Sequence, residues 1–343
     1  MMEAVPREEI RREAWNAFVD AHPRTWAWHR YDYLAAKALQ RGIVDLSFGM
    51  KWQGSLLGIM PLSLDTNRHP LARLARLPLN TISSDCQPVV AWEESLILKA
   101  MMRHFIELGK EYRVSDALIF TEPLSYAPEF DMVNPLVKLG FESDDRIVSI
   151  IPLTGPVAAW TGFEKRLRND ITHAERNGVT TRLFTDGDIG PLSEMHEETH
   201  RRLRILHPKV KLPEYSHGYF REMITSVETL GVIAELHGYP VAISVFVLHR
   251  GGAHYLWGFS TQEGRRSLAN AAIQWRAVQE MCQRGIRYYK PGEIHPTVWD
   301  PHGITRGHPG FKSALGGTPK TWYRGRMVLN PRMHLLREIR GIL

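Results

Sequence analysis

The sequence predicts an α/β (α+β) protein made of two tandem copies of one unit, each a mixed, mostly antiparallel sheet flanked by helices. Three observations lead there. The chain has 343 residues, 43 % hydrophobic and 23 % charged, which is a globular composition at about twice the usual domain length. Residues 46–64 (LSFGMKWQGSLLGIMPLSL) and 230–248 (LGVIAELHGYPVAISVFVL) share one pattern of apolar run, polar-Gly turn and second apolar run, as a hairpin requires. The elements after each hairpin then recur in the same order at a nearly constant offset.

Helical material precedes each hairpin, and the turn glycines, Gly54 and Gly238, lie 184 residues apart. Helices are predicted over 92–109 and 268–285, closed by Gly109 and Gly285 as C-caps; these glycines are 176 apart. In the second helix Leu268, Ala271, Ala272, Trp275, Val278 and Cys282 make one apolar face at helical spacing. Short strands follow at 117–120 and 286–290. Helices ending at Leu139-Gly140 and Leu315-Gly316, again 176 apart, and last strands at 148–153 and 322–329 complete the two units. The PLTGP segment at 152–156 breaks regular structure, so the expected domains are residues 1–154 and 155–343.

Cys86 and Cys282 are the only cysteines, too few for a disulfide framework or a four-cysteine zinc site. No run of 18 apolar residues is present, so no membrane span is expected. The opening MMEAVPREEIRREAW alternates in charge and lacks the apolar stretch of a secretory signal. A cytoplasmic enzyme or binding protein is the expectation. The net charge of +6 is uneven: residues 301–343 hold eight Lys/Arg against one Glu, leaving −1 on residues 1–300. Such an excess favours anionic partners such as phosphates, nucleic acid or a membrane surface, although solvated basic tails are also common.

Two segments carry candidate chemistry. In TGFEKRLRNDITHAERNG (161–178), Thr161 and Glu164 read as a capping box. Phe163, Leu167, Ile171 and Ala174 form the apolar stripe, and Gly178 ends the helix. The outer face holds Lys165, Arg166, Arg168, Asn169, His173 and Arg176, a pattern an ordinary solvated face shares. In GITRGHPGFKSALGGTP (303–319), Phe311-Lys312 falls on a short helix before Gly316-Gly317. A lysine at a sheet edge can donate to an oxyanion formed in acyl transfer; the alternative is a surface lysine beside a core phenylalanine.

The order of elements resembles the acyl-coenzyme A N-acyltransferase (GNAT) fold, in which strands splay apart in mid-sheet and expose backbone donors to a thioester. KRLRNDITHAERNGV resembles the helix that opens the second domain of Fem-type aminoacyl transferases, roughly K-x-x-R-x-x-I-x-x-A-x-x-x-G-V. Lys165, Arg168, Ile171, Ala174, Gly178 and Val179 meet it. ITRGHPGFKSALGG resembles the family's late F-K-x-x-[FL]-G-G motif. The hairpin and third strand between them (235–260) and the spacer with Asn270 and Trp275 also fit, while the first half matches more loosely. The chain thus resembles the FemABX-like, tandem-GNAT superfamily.

That resemblance implies an amide-forming acyltransferase. An amine acceptor, a cell-wall precursor or a small natural-product intermediate, attacks the carbonyl of an aminoacyl-tRNA, with tRNA as partner and no cofactor. It implies Lys312 as the catalytic oxyanion donor and Phe311 beside the tRNA acceptor end. Tyr255, Trp257, Arg265, Arg266 and Asn270 are expected on the donor side, with Tyr255 and Trp257 on one face of their strand, either side of Leu256. Arg168, Arg204 and Glu293 are expected to bind acceptor or phosphate. Two departures stand out. The family's Asp-Gly pair is replaced by Tyr289-Lys290-Pro291-Gly292-Glu293, and residues 180–229 are too short for the long helical arm of some Fem proteins.

Other readings compete. A coenzyme A enzyme needs a Q/R-x-x-G-x-G/A loop whose amides hold pyrophosphate. TQEGRRSLAN supplies Gln262, Gly264 and Arg265 but lacks the second glycine. An acyl-coenzyme A or carrier-protein thioester donor acting on an amino sugar or small amine stays the alternative within this fold. A non-catalytic tRNA- or polysaccharide-binding module is the alternative outside it. His295, His302 and His308, with Glu293 and Asp300, have spacings that match no zinc motif. His196-Glu197-x-x-His200 does read H-E-x-x-H, but its charged flanks, SEMHEETHRRL, predict a surface helix, and no metal is expected.

Overall fold

The structure is a computed structural model that describes residues 2–66, 80–91, 94–125, 133–206, 213–294, 308–332 and 334–335. The chain first forms β1 (Glu3–Pro6), α1 (Arg12–Ala21), α2 (Tyr31–Ala38), β2 (Ile43–Asp45), β3 (Phe48–Trp52), β4 (Ser55–Met60), β5 (Ser63–Asp65), β6 (Asn80–Ser84), β7 (Val89–Val90), α3 (Glu94–Glu111), β8 (Val114–Phe120) and β9 (Glu142–Ser143). It continues through β10 (Arg146–Pro152), α4 (Pro156–Gly162), α5 (Lys165–Arg176), β11 (Val179–Leu183), α6 (Ile189–Leu206), α7 (His217–Ser226), β12 (Thr229–Leu236), β13 (Tyr239–His249) and β14 (Gly252–Ser260). It ends with α8 (Gln262–Arg266), α9 (Ala269–Gln283), β15 (Tyr288–Lys290), β16 (Glu293–Ile294), α10 (His308–Ala314), β17 (Thr318–Trp322) and β18 (Arg324–Val328).

Two compact units result: Met1–Arg146 with Trp322–Leu343, and Ile147–Thr321. The first has a sheet β1-β3-β4-β7 and a sheet β2-β5-β6-β8-β18-β9; the second has one sheet, β11-β12-β13-β14-β15-β10-β16, with β17 on β10. Among the registers described, only β6–β8 and β14–β15 are parallel. Both predicted hairpins form. Gln53-Gly54 and His237-Gly238 have φ of 48° and 81°, and 53° and 81°, the two positive values that a type I′ turn needs.

Each unit has its own core. Phe48, Ile82, Met101, Phe105 and Ile119 belong to the first. Ile171 of α5, Phe246 of β13, and Ile273, Val278 and Met281 of α9 belong to the second. Full burial of each such side chain is worth about 1.5–3 kcal/mol.

The last strands do not stay in their own halves. Segment 148–153, predicted to finish the first unit, lies in the second unit's sheet as β10, with Ile151 opposite Tyr289 and Ile147 opposite Ile294. Segment 322–329, predicted to finish the second, lies in the first unit's sheet as β18, with Met327 opposite Ala117. The apolar pattern fixes a segment as strand and says nothing of its partner. The division expected at 154/155 therefore falls before β10 instead, and the C-terminal strand returns to the first unit.

Two local expectations also change. Thr161 and Glu164 form no capping box: Glu164 is the N-cap of α5 without a side-chain cap bond, and Thr161 Oγ1 donates to the Val157 carbonyl at 3.0 Å within α4. Gly109 does not end α3, which runs to Glu111. A Cβ there would lie 2.8 Å from Leu329 Cδ1, so this glycine admits the C-terminal segment against the helix. Gly285, at φ 72°, does follow the end of α9.

Candidate functional site

In the second unit β14 and β15 run parallel for three residue pairs, Gly252–Tyr288, Ala253–Tyr289 and His254–Lys290. Beyond His254 they part, and the remainder of β14 has no described strand partner on that edge. On its other edge, Val245 faces Trp257 and Phe246 faces Tyr255, so Leu256 is the extra residue of a β-bulge. The bulge corrects one expectation. Successive residues of β13 point to opposite faces, so Tyr255 and Trp257 do too. Tyr255 packs edge-on to Phe246 at 5.5 Å, and its phenol is pushed up to about 12 by burial. Trp257 is buried against Tyr215, Tyr219 and Phe220, at 5.6, 5.4 and 5.1 Å.

Lys312, on α10, brings its amine to the point where the strands part. Nζ donates to the Glu293 carbonyl at 3.3 Å. A Cβ on Gly292, whose φ is 105°, would lie 2.9 Å from Nζ, so glycine leaves the amine its place. Burial lowers the Lys312 pKa from the usual lysine value, opposed by the Glu293 charge. His254 is held well below the ordinary histidine value by burial and by the charges of Lys290 and Lys312. Lys290 is fully buried. The result is a half-buried ammonium beside a neutral imidazole at an opened sheet, an arrangement able to meet negative charge developing on an oxygen.

The first unit has the corresponding parallel pair, β6–β8, but its outgoing ends are tied together. Glu122 N donates to Gln87 Oε1 at 3.2 Å, Gln87 Nε2 donates to the Arg24 carbonyl at 2.7 Å, and Trp28 Nε1 donates to Glu122 Oε2 at 2.7 Å. Among the described residues, it is in the second unit that the strands open onto cationic side chains.

Residues 162–297 match the model of the acetyltransferase (GNAT) domain. No curated protein matches the sequence significantly. The crystal structure of FemX superposes with a TM-score of 0.67 at 16 % identity, covering 98 % of this chain and all of that one. A tandem GNAT protein from the clavulanic acid biosynthesis pathway gives 0.56 at 13 %, covering 96 % and 99 %. The C-terminal domain of a putative lysylphosphatidylglycerol synthetase from Agrobacterium fabrum gives 0.55 at 12 %, covering 96 % and 94 %. The chain has the FemX-like, tandem-GNAT fold. The stretch that matches the acetyltransferase (GNAT) domain model lies within its second unit.

Within this tandem-GNAT frame the other predicted residues scatter. Phe311 packs against the second unit's core. Arg265 Nη1 donates to the Ser260 carbonyl at 2.7 Å, Arg266 is exposed, and Asn270 Oδ1 is buried without a partner among the described residues. Arg168 donates to the carbonyls of Trp160, Thr161 and Phe163, where it caps the end of α4. Arg204 pairs with Glu214 at 2.8 Å. Of the three residues expected to hold acceptor or phosphate, only Glu293 adjoins Lys312. Sequence reasoning missed His254, Lys290 and Gly292; a lysine inside a short strand was the available signal for the second.

Turn 261–268 holds the segment read as a defective pyrophosphate loop, and five of its amides are engaged by the protein. Gln262 N donates to Glu198 Oε1 at 3.1 Å and Gly264 N to Thr261 Oγ1 at 3.1 Å. Arg265 N, Ser267 N and Leu268 N donate to backbone carbonyls. Gly264 is indispensable here, since a Cβ would lie 2.1 Å from the Val241 carbonyl oxygen.

Among the described residues no group of three or more side chains is placed to hold a metal ion. His295, Asp300 and His302 lie outside the described residues, as does the side chain of His308. The H-E-x-x-H segment is on α6, yet His196 and His200 are 5 % and 8 % exposed; the surface helix that its charged flanks predict turns both rings inward. No helix among the described residues is long and apolar enough to cross a membrane.

Proposed function

We propose that the chain forms an amide by transferring an aminoacyl group from aminoacyl-tRNA to an amine acceptor, in cell-wall or natural-product assembly in the cytoplasm. The amine nitrogen attacks the ester carbonyl carbon. The Lys312 ammonium donates to the oxyanion so formed, the carbon–oxygen bond to the ribose breaks, and the ribose hydroxyl leaves with the proton lost by the amine. One such donor is worth about 10²–10³ in rate, with positioning supplying more.

The observation that carries this reading is the opened β14–β15 edge with Lys312 at its mouth. The choice of donor is supported by turn 261–268. A helix start that binds pyrophosphate needs free amides, and here the Glu198 carboxylate already sits on the Gln262 amide. A nucleic-acid donor is also consistent with the +7 of residues 301–343. A thioester donor is the second reading, favoured by the description of the matched domain model as an acetyltransferase.

The test follows label from charged tRNA into small amines and cell-wall precursors, with and without ribonuclease, beside acyl-coenzyme A. Ribonuclease-sensitive transfer that Lys312→Met abolishes is expected. Transfer from the thioester alone establishes the second reading, and transfer that Lys312→Met leaves intact removes the assigned site.

A further inference from the structure

The His196-Glu197-x-x-His200 segment has no part in that chemistry, yet it borders a second constellation. The rings of His196 and His200 stand 4.0 Å apart. His196 also packs on Tyr215, Phe220 and Phe259, at 5.3, 5.3 and 5.1 Å. Burial and the neighbouring His200 hold His196 down to about 4, so its imidazole is neutral. A neutral imidazole has one N–H and one lone pair. The ring is hydrogen-bonded to the backbone of Pro213, and a proline offers only its carbonyl, so the ring N–H is committed there. Nε2 is then the acceptor; it is buried and has no partner among the described residues.

Beside this ring is a cavity of about 530 Å³, walled by His196, Glu197, His200, Arg201, Glu214 and Tyr215 among others, a volume usual for small-molecule sites. Glu214 answers Arg204 at 2.8 Å. Glu197 and Arg201 differ: they are one turn apart on α6 and therefore side by side. Both are exposed, and neither has an ion-pair partner among the described residues. The cavity thus presents aromatic walls together with one carboxylate and one guanidinium that lack ion-pair partners among the described residues.

We propose that this cavity binds a zwitterionic amino-acid group, with its ammonium on Glu197 and its carboxylate on Arg201. The inference rests on the amine-acylation reading, because it makes the cavity the recognition end for the acceptor. The register of β14 puts His254, Trp257 and Phe259 on one face; Phe259 packs on His196 and Trp257 on Tyr215 of the cavity, so this strand face leads from the cavity to His254, whose imidazole feels the Lys312 charge. Three to five residues of strand span roughly 10–17 Å. The anchored group is therefore distinct from the reacting amine, and the acceptor is an extended molecule.

Titration calorimetry without any acyl donor tests this. The probes are L-alanine, N-acetyl-L-alanine (no ammonium), L-alaninamide (no carboxylate) and inorganic phosphate. Saturable binding of L-alanine is expected, at least tenfold tighter than either single-charge analogue. Glu197→Gln and Arg201→Ala, both at exposed positions, each weaken it tenfold or more, and Lys312→Met leaves it unchanged. Absence of saturable binding, equal binding of alaninamide or phosphate, or indifference to both substitutions overturns the proposal. If alanine fails to bind while labelled transfer is lost in Lys312→Met, the transfer reading stands and this one falls; alanine binding without transfer from any donor gives the reverse.

Discussion

Gly292→Ala separates the backbone that positions Lys312 from the lysine itself. At φ 105° an alanine is outside the left-handed well near +57°, a strain of about 1–3 kcal/mol. The new Cβ would lie 2.9 Å from Nζ and 3.6 Å from Cε. Only the tip of a flexible side chain has to yield, by roughly 0.5–1 Å to reach ordinary contact, so the fold survives. The amine, however, leaves the mouth of the opened strands. A displacement of that size costs up to about 10²-fold in rate, below the 10²–10³ limit set by losing the donor altogether. The assay is single-turnover transfer for wild type, Gly292→Ala, Lys312→Met and the double variant, with melting temperatures alongside. Two residues acting through one contact are non-additive, so the double variant should transfer no more slowly than Lys312→Met. A Gly292→Ala protein with wild-type transfer, or a double variant slower by the product of the two effects, refutes the argument.

Lys312 must carry its proton to act, and burial lowers its pKa. The profile of kcat/KM should therefore show an alkaline fall at a pH below the ordinary lysine range; Lys312→Arg, protonated throughout, should carry the fall to higher pH. Arg168→Met removes the donor to three carbonyls at the end of α4. It should lower stability by about 1–3 kcal/mol in urea unfolding and leave the transfer rate of the folded protein unchanged, whereas a phosphate-binding role predicts the opposite. Gly264→Ala drives a Cβ to 2.1 Å from a backbone oxygen; a loss of about 1–3 kcal/mol or more is expected, and an unchanged melting temperature contradicts the packing described.

The two hairpins were legible because a type I′ turn needs positive φ at both positions and Gly54 and Gly238 supply it. Helix α9 was legible because Gly285 ends it locally. Gly109 misled for the same reason: its cause is Leu329, 220 residues away, and no local pattern carries that contact. Alternation assigned Tyr255 and Trp257 to one face because it presumes an unbroken ladder, and one extra residue, Leu256, reverses it. His196 and His200 sit among charged residues in sequence, but aromatic partners that bury His196 come from α7 and β14. Lys312 was singled out through a motif, while Gly292 and His254, which shape its surroundings, follow from strand geometry alone.

The crossing of β10 and β18 between sheets has a consequence for how the gene can be cut. The second unit is a contiguous insert, Ile147–Thr321, within a first unit made of two pieces. The insert's first and last strands, β10 and β17, pair with each other, so its two ends are neighbours, as in proteins that accept a guest domain. A fragment beginning after PLTGP removes a central strand and leaves two raw edges, whereas one spanning 147–321 keeps its sheet whole. Splitting at the apparent midpoint would therefore yield two incomplete proteins prone to edge-to-edge aggregation.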